Sequence, residues 1–373
     1  MPRITEPSQG SFTPSLSVPL RISSSFPNRT GSLCIMLAHE NKKIYTMPSY
    51  GSHSIFNQSN NTCCFFEDPI LANVLPAILI IIVLLGSILN GTALWAFLFS
   101  VKSWKSSTVY LFNLSVADFF LIICLPFRID YYRKQKTWIY GDIPCRIMLF
   151  VLAMNRAGSI FFLTLVGLDR YFKVVHPHHM VNSISIKNAI VVACSVWLIA
   201  ILVTAFILTK DHTGGNIFRE AYCDSFIVCP ADTYWHDLLF IIEFFLPLCI
   251  VLFCSYSIIW KLRQRNMNKD SKIKRAVKCI ILVGFVFFIC FLPSVSSRIE
   301  IIRLQETPQQ SNCSIYKSME TAFFITMCFT YMNSMCNPLL YYLSNPSLRT
   351  YYFTMILKLR LRPSACPKSD FPN

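Results

Sequence analysis

Arg156 is the residue around which the chemistry of this chain can be arranged. It stands beside Asn155 inside CRIMLFVLAMNRAGSIFFLTLVGLDRY, residues 145–171, a run long enough to cross a bilayer as one helix. At 1.5 Å rise per residue it lies about 16 Å along that helix from Cys145. Charge at that depth is costly and marks a functional site by default. A guanidinium offers planar, paired donors that suit a carboxylate, and a low-dielectric pocket strengthens the pair. Two readings stay open: Arg156 takes a ligand anion, or it pairs with a carboxylate on another helix and holds the bundle together. A second constellation centres on Asp118, with Asn90, Asn155, Ser159, Asn333, Ser334 and Asn337 also inside apolar runs. Asn155 and Ser159 share a helix face at i,i+4. One carboxylate with several neutral oxygens suits Na⁺ or a hydrated cluster, and equally a plain interhelical hydrogen-bond network. A structural Na⁺ is the one metal ion these residues suggest, and no organic cofactor is expected.

The elements that must position these residues follow from composition. The chain has 373 residues, 54% hydrophobic and only 14% charged. A soluble domain carries nearly twice that charged fraction. The fold class expected is an all-α membrane protein, a seven-transmembrane helix bundle with a short amphipathic eighth helix. The seven apolar runs fall near 70–100, 108–130, 144–172, 187–209, 236–262, 276–303 and 317–343. Pro247, Pro293 and Pro338 sit inside runs five, six and seven, where each can kink its helix and give it two packings. Cys124, Cys194, Cys249, Cys254, Cys279, Cys290, Cys328 and Cys336 lie in apolar runs and read as small buried hydrophobes.

Orientation comes from the connecting segments. Lys102, Lys105, Lys173, Lys187, Lys261, Arg263, Arg265, Lys269, Lys272, Lys274 and Arg275 all fall on one side, which is therefore read as cytoplasmic. The formal charge of +15 thus reflects topology and implies no nucleic-acid partner. Seven spans place the N-terminus outside. Residues 1–62 are rich in Ser, Pro, Thr and Asn and read as a disordered arm, with glycosylation sequons at Asn28, Asn57 and Asn60. The apolar patch LCIML, residues 33–37, is too short for a signal-peptide core. Arg133, Lys134 and Lys136 lie on the outer side, either as a basic collar attracting anions or as a solvated loop. The bundle is assigned to 63–344. Residues 345–362, opening on Asn345-Pro346-Ser347, read as an amphipathic helix on the inner leaflet, and 363–373 as a short cytoplasmic tail. Cys366 there is either palmitoylated or free. A transporter would show internal repeats, and none is found. A membrane enzyme would need a catalytic constellation; His236 is a lone outer-end histidine, and no nucleophile motif accompanies it.

These residues resemble the rhodopsin-like (class A) G-protein-coupled receptors. The likeness rests on Gly86-Ser87-Ile88-Leu89-Asn90, Leu114-Ser115-Val116-Ala117-Asp118, Cys145, Asp169-Arg170-Tyr171, Trp197, Pro247, the stretch Phe287–Pro293, and Asn337-Pro338-Leu339-Leu340-Tyr341. Phe291 departs from the family's usual Trp. Within that superfamily LFNLSVADFFLIICLPFRIDYY, GDIPCRIMLFVLAMNRAGSI, WHDLLFIIEFFLPL and AFFITMCFTYMNSM look like the hydroxycarboxylic acid receptors and their relative the oxo-eicosanoid receptor. The likeness covers roughly 63–348. Arg128 and the Ala after Arg156 match the lactate-receptor branch. Asn337 stands where these receptors usually have Asp.

The resemblance implies a plasma-membrane receptor for small carboxylic acids that signals through Gi/o to lower cAMP, with arrestin and membrane lipid as further partners. Oxidised fatty acids such as oxo-eicosanoids are the alternative ligands. It implies Arg156, Arg128, Arg298, Tyr331, Ser225 and Phe226 as pocket residues; snorkelling of Arg128 and Arg298 to the outer interface is the competing reading. It implies Asp169, Arg170, Tyr171, Phe291, Pro293, Asn337, Pro338 and Tyr341 as the switch and G-protein-coupling set. Six outer cysteines allow 15 pairings. The resemblance selects Cys145–Cys223, Cys63–Cys229 and Cys64–Cys313, leaving Cys34 over.

Overall fold

A computed structural model describes residues 55–58, 61–64, 69–209, 223–225, 234–265, 271–306 and 313–360. The helices are α1 Pro69–Phe99, α2 Ser106–Arg133, α3 Asp142–Val175, α4 Ile186–Thr204, the single turn α5 Phe206–Thr209, α6 Tyr234–Arg265, α7 Ser271–Val286, α8 Leu292–Glu306, α9 Cys313–Ser344 and α10 Pro346–Arg360. A π-helical turn, Phe287–Phe291, joins α7 to α8, so the two are one span. Among the described residues six spans are long and apolar enough to cross a membrane. The seventh, α9, has the length, but Asn333, Ser334 and Asn337 dilute its apolar character. The span limits agree with the apolar runs to within a few residues.

Helix α3 packs against α2, α4, α6 and α7, while α1 packs between α2 and α9. The core between them is closed by Leu114, Leu121, Phe162, Phe244, Phe287 and Tyr341, all buried. Large apolar side chains such as Ile88, Leu98, Phe99 and Leu202 face outward. In a soluble protein that surface would be a liability, whereas here it meets hydrocarbon.

Local sequence sets several of the junctions. Gly141 enters α3 at φ 82°, a conformation that favours glycine, and its carbonyl accepts a 2.6 Å hydrogen bond from Trp138 Nε1. The Ser185 side chain caps α4 by accepting from the Asn188 amide. Pro293 lacks an amide donor and crowds the carbonyl four residues back; the π turn lies directly before it and absorbs that mismatch. Trp197 Nε1 donates to Asn113 Oδ1 at 2.8 Å and ties α4 to α2, with the indole lying over Gly158 of α3. Asn345 accepts from the Ser347 amide, caps α10, and donates to Thr108 of α2.

A β-hairpin precedes the bundle. Strands β1 Ile55–Gln58 and β2 Asn61–Cys64 pair antiparallel, with Ile55 opposite Cys64. These strands fall where the sequence gives no sustained period. Their signal is local: Ile55, Phe56 and Thr62 favour strands, and a two-residue connection suits a hairpin. The sequons at Asn28 and Asn60 lie outside the described residues, as do residues 1–54 and Cys366. Asn57 is described only as backbone of β1.

Candidate functional site

A cavity open to the exterior lies between α2, α3, α4, α6 and α9, toward the end of the bundle that carries the Cys145–Cys223 disulfide. The segment Cys223–Ser225 forms part of its lining, and the disulfide Cys145–Cys223 fixes that segment to α3 with a Cα–Cα distance of 5.8 Å. Arg128, Arg156, Ser225 and Tyr331 all line the cavity, so the structure brings four of the expected pocket residues together. Phe226 lies outside the described residues.

Arg156 is 4% exposed. Its Nη1 donates to Glu243 Oε1 of α6 at 2.8 Å, and its Nη2 points to the Phe240 carbonyl at a long 3.4 Å. Its guanidinium carbon sits 3.7 Å from the centre of the Phe240 ring. Its Nε has no hydrogen-bond partner among the described residues. Arg156 is therefore paired with a carboxylate on another helix and is also on the wall of an open cavity. Glu243 lines the same cavity.

Arg128 does not snorkel. It is buried, donating from Nη1 to the Cys223 carbonyl at 2.8 Å and from Nη2 to Asp224 Oδ1 at 2.7 Å. Tyr131 donates to the other oxygen of Asp224 at 2.7 Å, and the Tyr132 ring lies 4.9 Å from the guanidinium. Arg298 is only 1% exposed and engages both oxygens of Asp237, at 2.7 and 3.0 Å. It is not among the cavity's lining residues; Phe323, whose ring lies 5.9 Å from its guanidinium, is. In the outer basic segment, Lys134 pairs with Asp130 at 2.8 Å and Lys136 with Glu320 of α9 at 2.9 Å, which neutralises two of its three charges. Three residues that the sequence reading passes over, Asp224, Asp237 and Glu243, are thus the counter-ions of the buried Arg128, Arg298 and Arg156.

Deeper in the bundle, Asp118 Oδ2 accepts from Asn337 Nδ2 at 2.8 Å and from Tyr341 Oη at 3.1 Å. Among the described residues its Oδ1 makes no hydrogen bond within normal distance, and neither do the side-chain oxygens of Asn90, Ser115, Ser159, Asn333 and Asn337, all buried. Ser334 is also buried; its hydroxyl donates to the Tyr331 carbonyl and keeps its oxygen lone pairs. Asn155 is buried on the same helix face as Ser159, with a side-chain carbonyl as well as the Nδ2 donor. One carboxylate oxygen and several neutral oxygens left over in the buried core are the donor types that suit a small hard cation or ordered water.

At the end of the bundle away from the cavity Asp169 is held mainly by Lys173, at 2.7 and 2.8 Å, while Arg170 stands off at 3.6 Å. Nε and Nη2 of Arg170 make no hydrogen bond among the described residues. Tyr171 packs on Phe253 and reaches His176 through its hydroxyl at 3.2 Å. Phe291, in the π turn, is buried against Phe287, which stacks in turn on Phe244. The side chains of Cys63, Cys64, Cys229 and Cys313 lie outside the described set, so only Cys145–Cys223 is seen as a disulfide.

Such a bundle, with an arginine-lined cavity toward one end, a polar midsection and a loosely held arginine at the other, has the architecture of a helical membrane receptor. The comparisons agree. Residues 89–341 match the 7 transmembrane receptor (rhodopsin family) signature. Hydroxycarboxylic acid receptor 2 of Homo sapiens is 52% identical over 79% of this chain and 80% of its own length. Hydroxycarboxylic acid receptor 1 of Homo sapiens is 49% identical over 79% of this chain and 83% of its own length. The identities do not separate those branches. Oxoeicosanoid receptor 1 of Homo sapiens is more distant, 34% identical over 79% of this chain and 75% of its own length. The chain belongs to the rhodopsin family of seven-transmembrane receptors and, within it, to the hydroxycarboxylic acid receptors. It is a multi-pass plasma-membrane receptor and not an enzyme, of a family that couples a small-molecule agonist to a G protein.

Proposed function

We propose that this receptor responds to small hydroxycarboxylic acids of lactate-like size and signals through Gi/o proteins to lower cAMP. The observation that carries the reading is Arg156, a buried guanidinium on the wall of an outer cavity with a donor still unpartnered. The agonist carboxylate pairs with Arg156, and Ser225, Tyr331 and the edge of Arg128 offer hydrogen bonds to its hydroxyl. Occupancy biases the sixth and seventh spans toward an open cytoplasmic face, a shift between two packings. Arg170, already loosely held, then meets the C-terminal helix of the G protein, and arrestin uses the same face. Lysine and arginine distribution and the sequons support an extracellular N-terminus. The exposed Phe353 and Leu357 of α10 support its lying on the inner leaflet. The Asp118 cluster holds Na⁺ in the inactive packing.

The test is a cAMP dose–response with L-lactate and its methyl ester, on the wild type and on Arg156→Ala at matched surface expression. The ester should be weak on the wild type and lose little more on the variant. Equal losses for acid and ester, or normal signalling by Arg156→Ala, would make the arginine structural. Oxidised fatty acids in the same assay decide the ligand's length.

A further inference from the structure

Every buried arginine near the cavity already has its carboxylate: Arg128 with Asp224 at 2.7 Å, Arg156 with Glu243 at 2.8 Å, and Arg298 with Asp237 at 2.7 Å. The charges therefore balance before any ligand arrives. A carboxylate entering this cavity brings one surplus negative charge into a site screened from water, where such a charge is costly. Binding is relieved if one of the three acids is neutralised.

The geometry distinguishes among them. Asp237 grips Arg298 through both oxygens. Asp224 is held by Arg128 and by Tyr131. Glu243 makes one hydrogen bond, to the same guanidinium that a ligand carboxylate would take, and both side chains are almost buried, at 4% and 7% exposure. Glu243 is thus the least firmly held of the three and the nearest to the incoming charge.

We propose that Glu243 sets the affinity of this site: an entering carboxylate displaces it from Arg156, and Glu243 takes up one proton from water as it leaves the pair. The ion pair is then an internal competitor, and the receptor binds a carboxylate together with a proton. This rests on the reading of Arg156 as the carboxylate anchor. The groups that face the pair are Arg156 of α3; His236 on α6; Arg128 and Tyr132 of α2; Asp224 beside the disulfide; Tyr331 of α9; and, past Phe323, Arg298 with Asp237. Among these, His236 is the side chain whose ordinary titration lies near neutral pH, so it needs its own control.

The experiment titrates purified receptor with L-lactate, and separately with its methyl ester, reading affinity from ligand-induced thermal stabilisation at about pH 6, 7 and 8. A short carboxylic acid stays ionised across that range. Uptake of one proton then weakens lactate binding about tenfold for each unit rise in pH, while the ester stays flat. Glu243→Gln should bind lactate more tightly near pH 7 and lose the slope. Glu243→Asp and His236→Asn should keep it. A pH-flat lactate affinity on the wild type, with the ester still weak, overturns the proton uptake and leaves the Arg156 reading standing. A slope that survives in Glu243→Gln, or vanishes in His236→Asn, overturns the assignment to Glu243. Lactate and ester binding equally well removes the anchor, and the proposal falls with it. A flat wild-type titration overturns the proton uptake without any variant having to fold, and a sloping one is assigned by Glu243→Gln and His236→Asn.

Discussion

At the scale of single residues, Arg128, Arg156 and Arg298 are each buried against one carboxylate, Asp224, Glu243 and Asp237 respectively. Arg156 stands out in the sequence because a charge in the middle of an apolar run needs either a ligand or a carboxylate partner on another helix. Glu243 is just as deep, but a lone acid in LLFIIEFFLPL carries no periodicity or motif, and only the packing of α6 on α3 shows what it is for. Asp224 and Asp237 read as loop and loop-edge acids; the disulfide and the helix ends make them buried counter-ions. Counting charges would have found them, since three outer-half arginines in hydrocarbon require three anions. Pairing also changes what substitutions should do. Arg156→Lys should signal poorly, because a point charge cannot reproduce the planar fork. Arg128→Ala should do more than weaken an agonist. It strands Asp224 beneath the Cys145–Cys223 bridge, and breaking such a buried pair costs about 3–5 kcal/mol. The expected result is a sharp fall in surface expression, measured by flow cytometry, with partial recovery in Arg128→Ala/Asp224→Asn. Normal expression of the single variant would mean that Asp224 reaches water when its partner is gone.

At the scale of elements, hydrophobic run length was enough to place the spans, because backbone satisfaction in lipid leaves helices little alternative. Two features were beyond that signal. The π turn at Phe287–Phe291 depends on how Pro293 meets its own helix, and the β-hairpin at Ile55–Cys64 is four residues a side, too short to stand out from a polar arm. The hairpin matters for the outer lid. Strand β2 carries the backbone of Cys64 and packs near α9, whose first residue is Cys313. If those two cysteines are partners, Cys64→Ser and Cys313→Ser should each lower agonist response by a similar factor, and the double variant should be no worse than either. Additive losses would separate the pair, and peptide mapping under non-reducing conditions would show which sulfurs are joined.

At the scale of the whole molecule the cavity and the Asp118 cluster are two sites on one bundle, joined by α3, which contributes Arg156 to one and Asn155 and Ser159 to the other. Asp118 has one oxygen occupied by Asn337 and Tyr341 and the other open, with the Ser159, Asn333 and Asn337 oxygens unpartnered nearby in the core. If a cation fills that space only in the inactive packing, Na⁺ and agonist oppose one another, and the coupling is reciprocal. Raising Na⁺ at constant ionic strength, with N-methylglucamine as the replacement cation, should then weaken L-lactate binding to membranes by roughly 5- to 150-fold, the usual range of allosteric coupling. The constant ionic strength matters, because screening alone acts on the outer charges. Asn337 supplies an amide where a second carboxylate would add charge, so the site has a single negative group and its Na⁺ dependence should appear only at high concentration. Asp118→Asn removes that group and should flatten the Na⁺ curve while leaving the Arg156 anchor intact. An unchanged Na⁺ effect in Asp118→Asn would place the cation elsewhere and leave the cluster as a hydrogen-bond network holding α2, α3 and α9 in register.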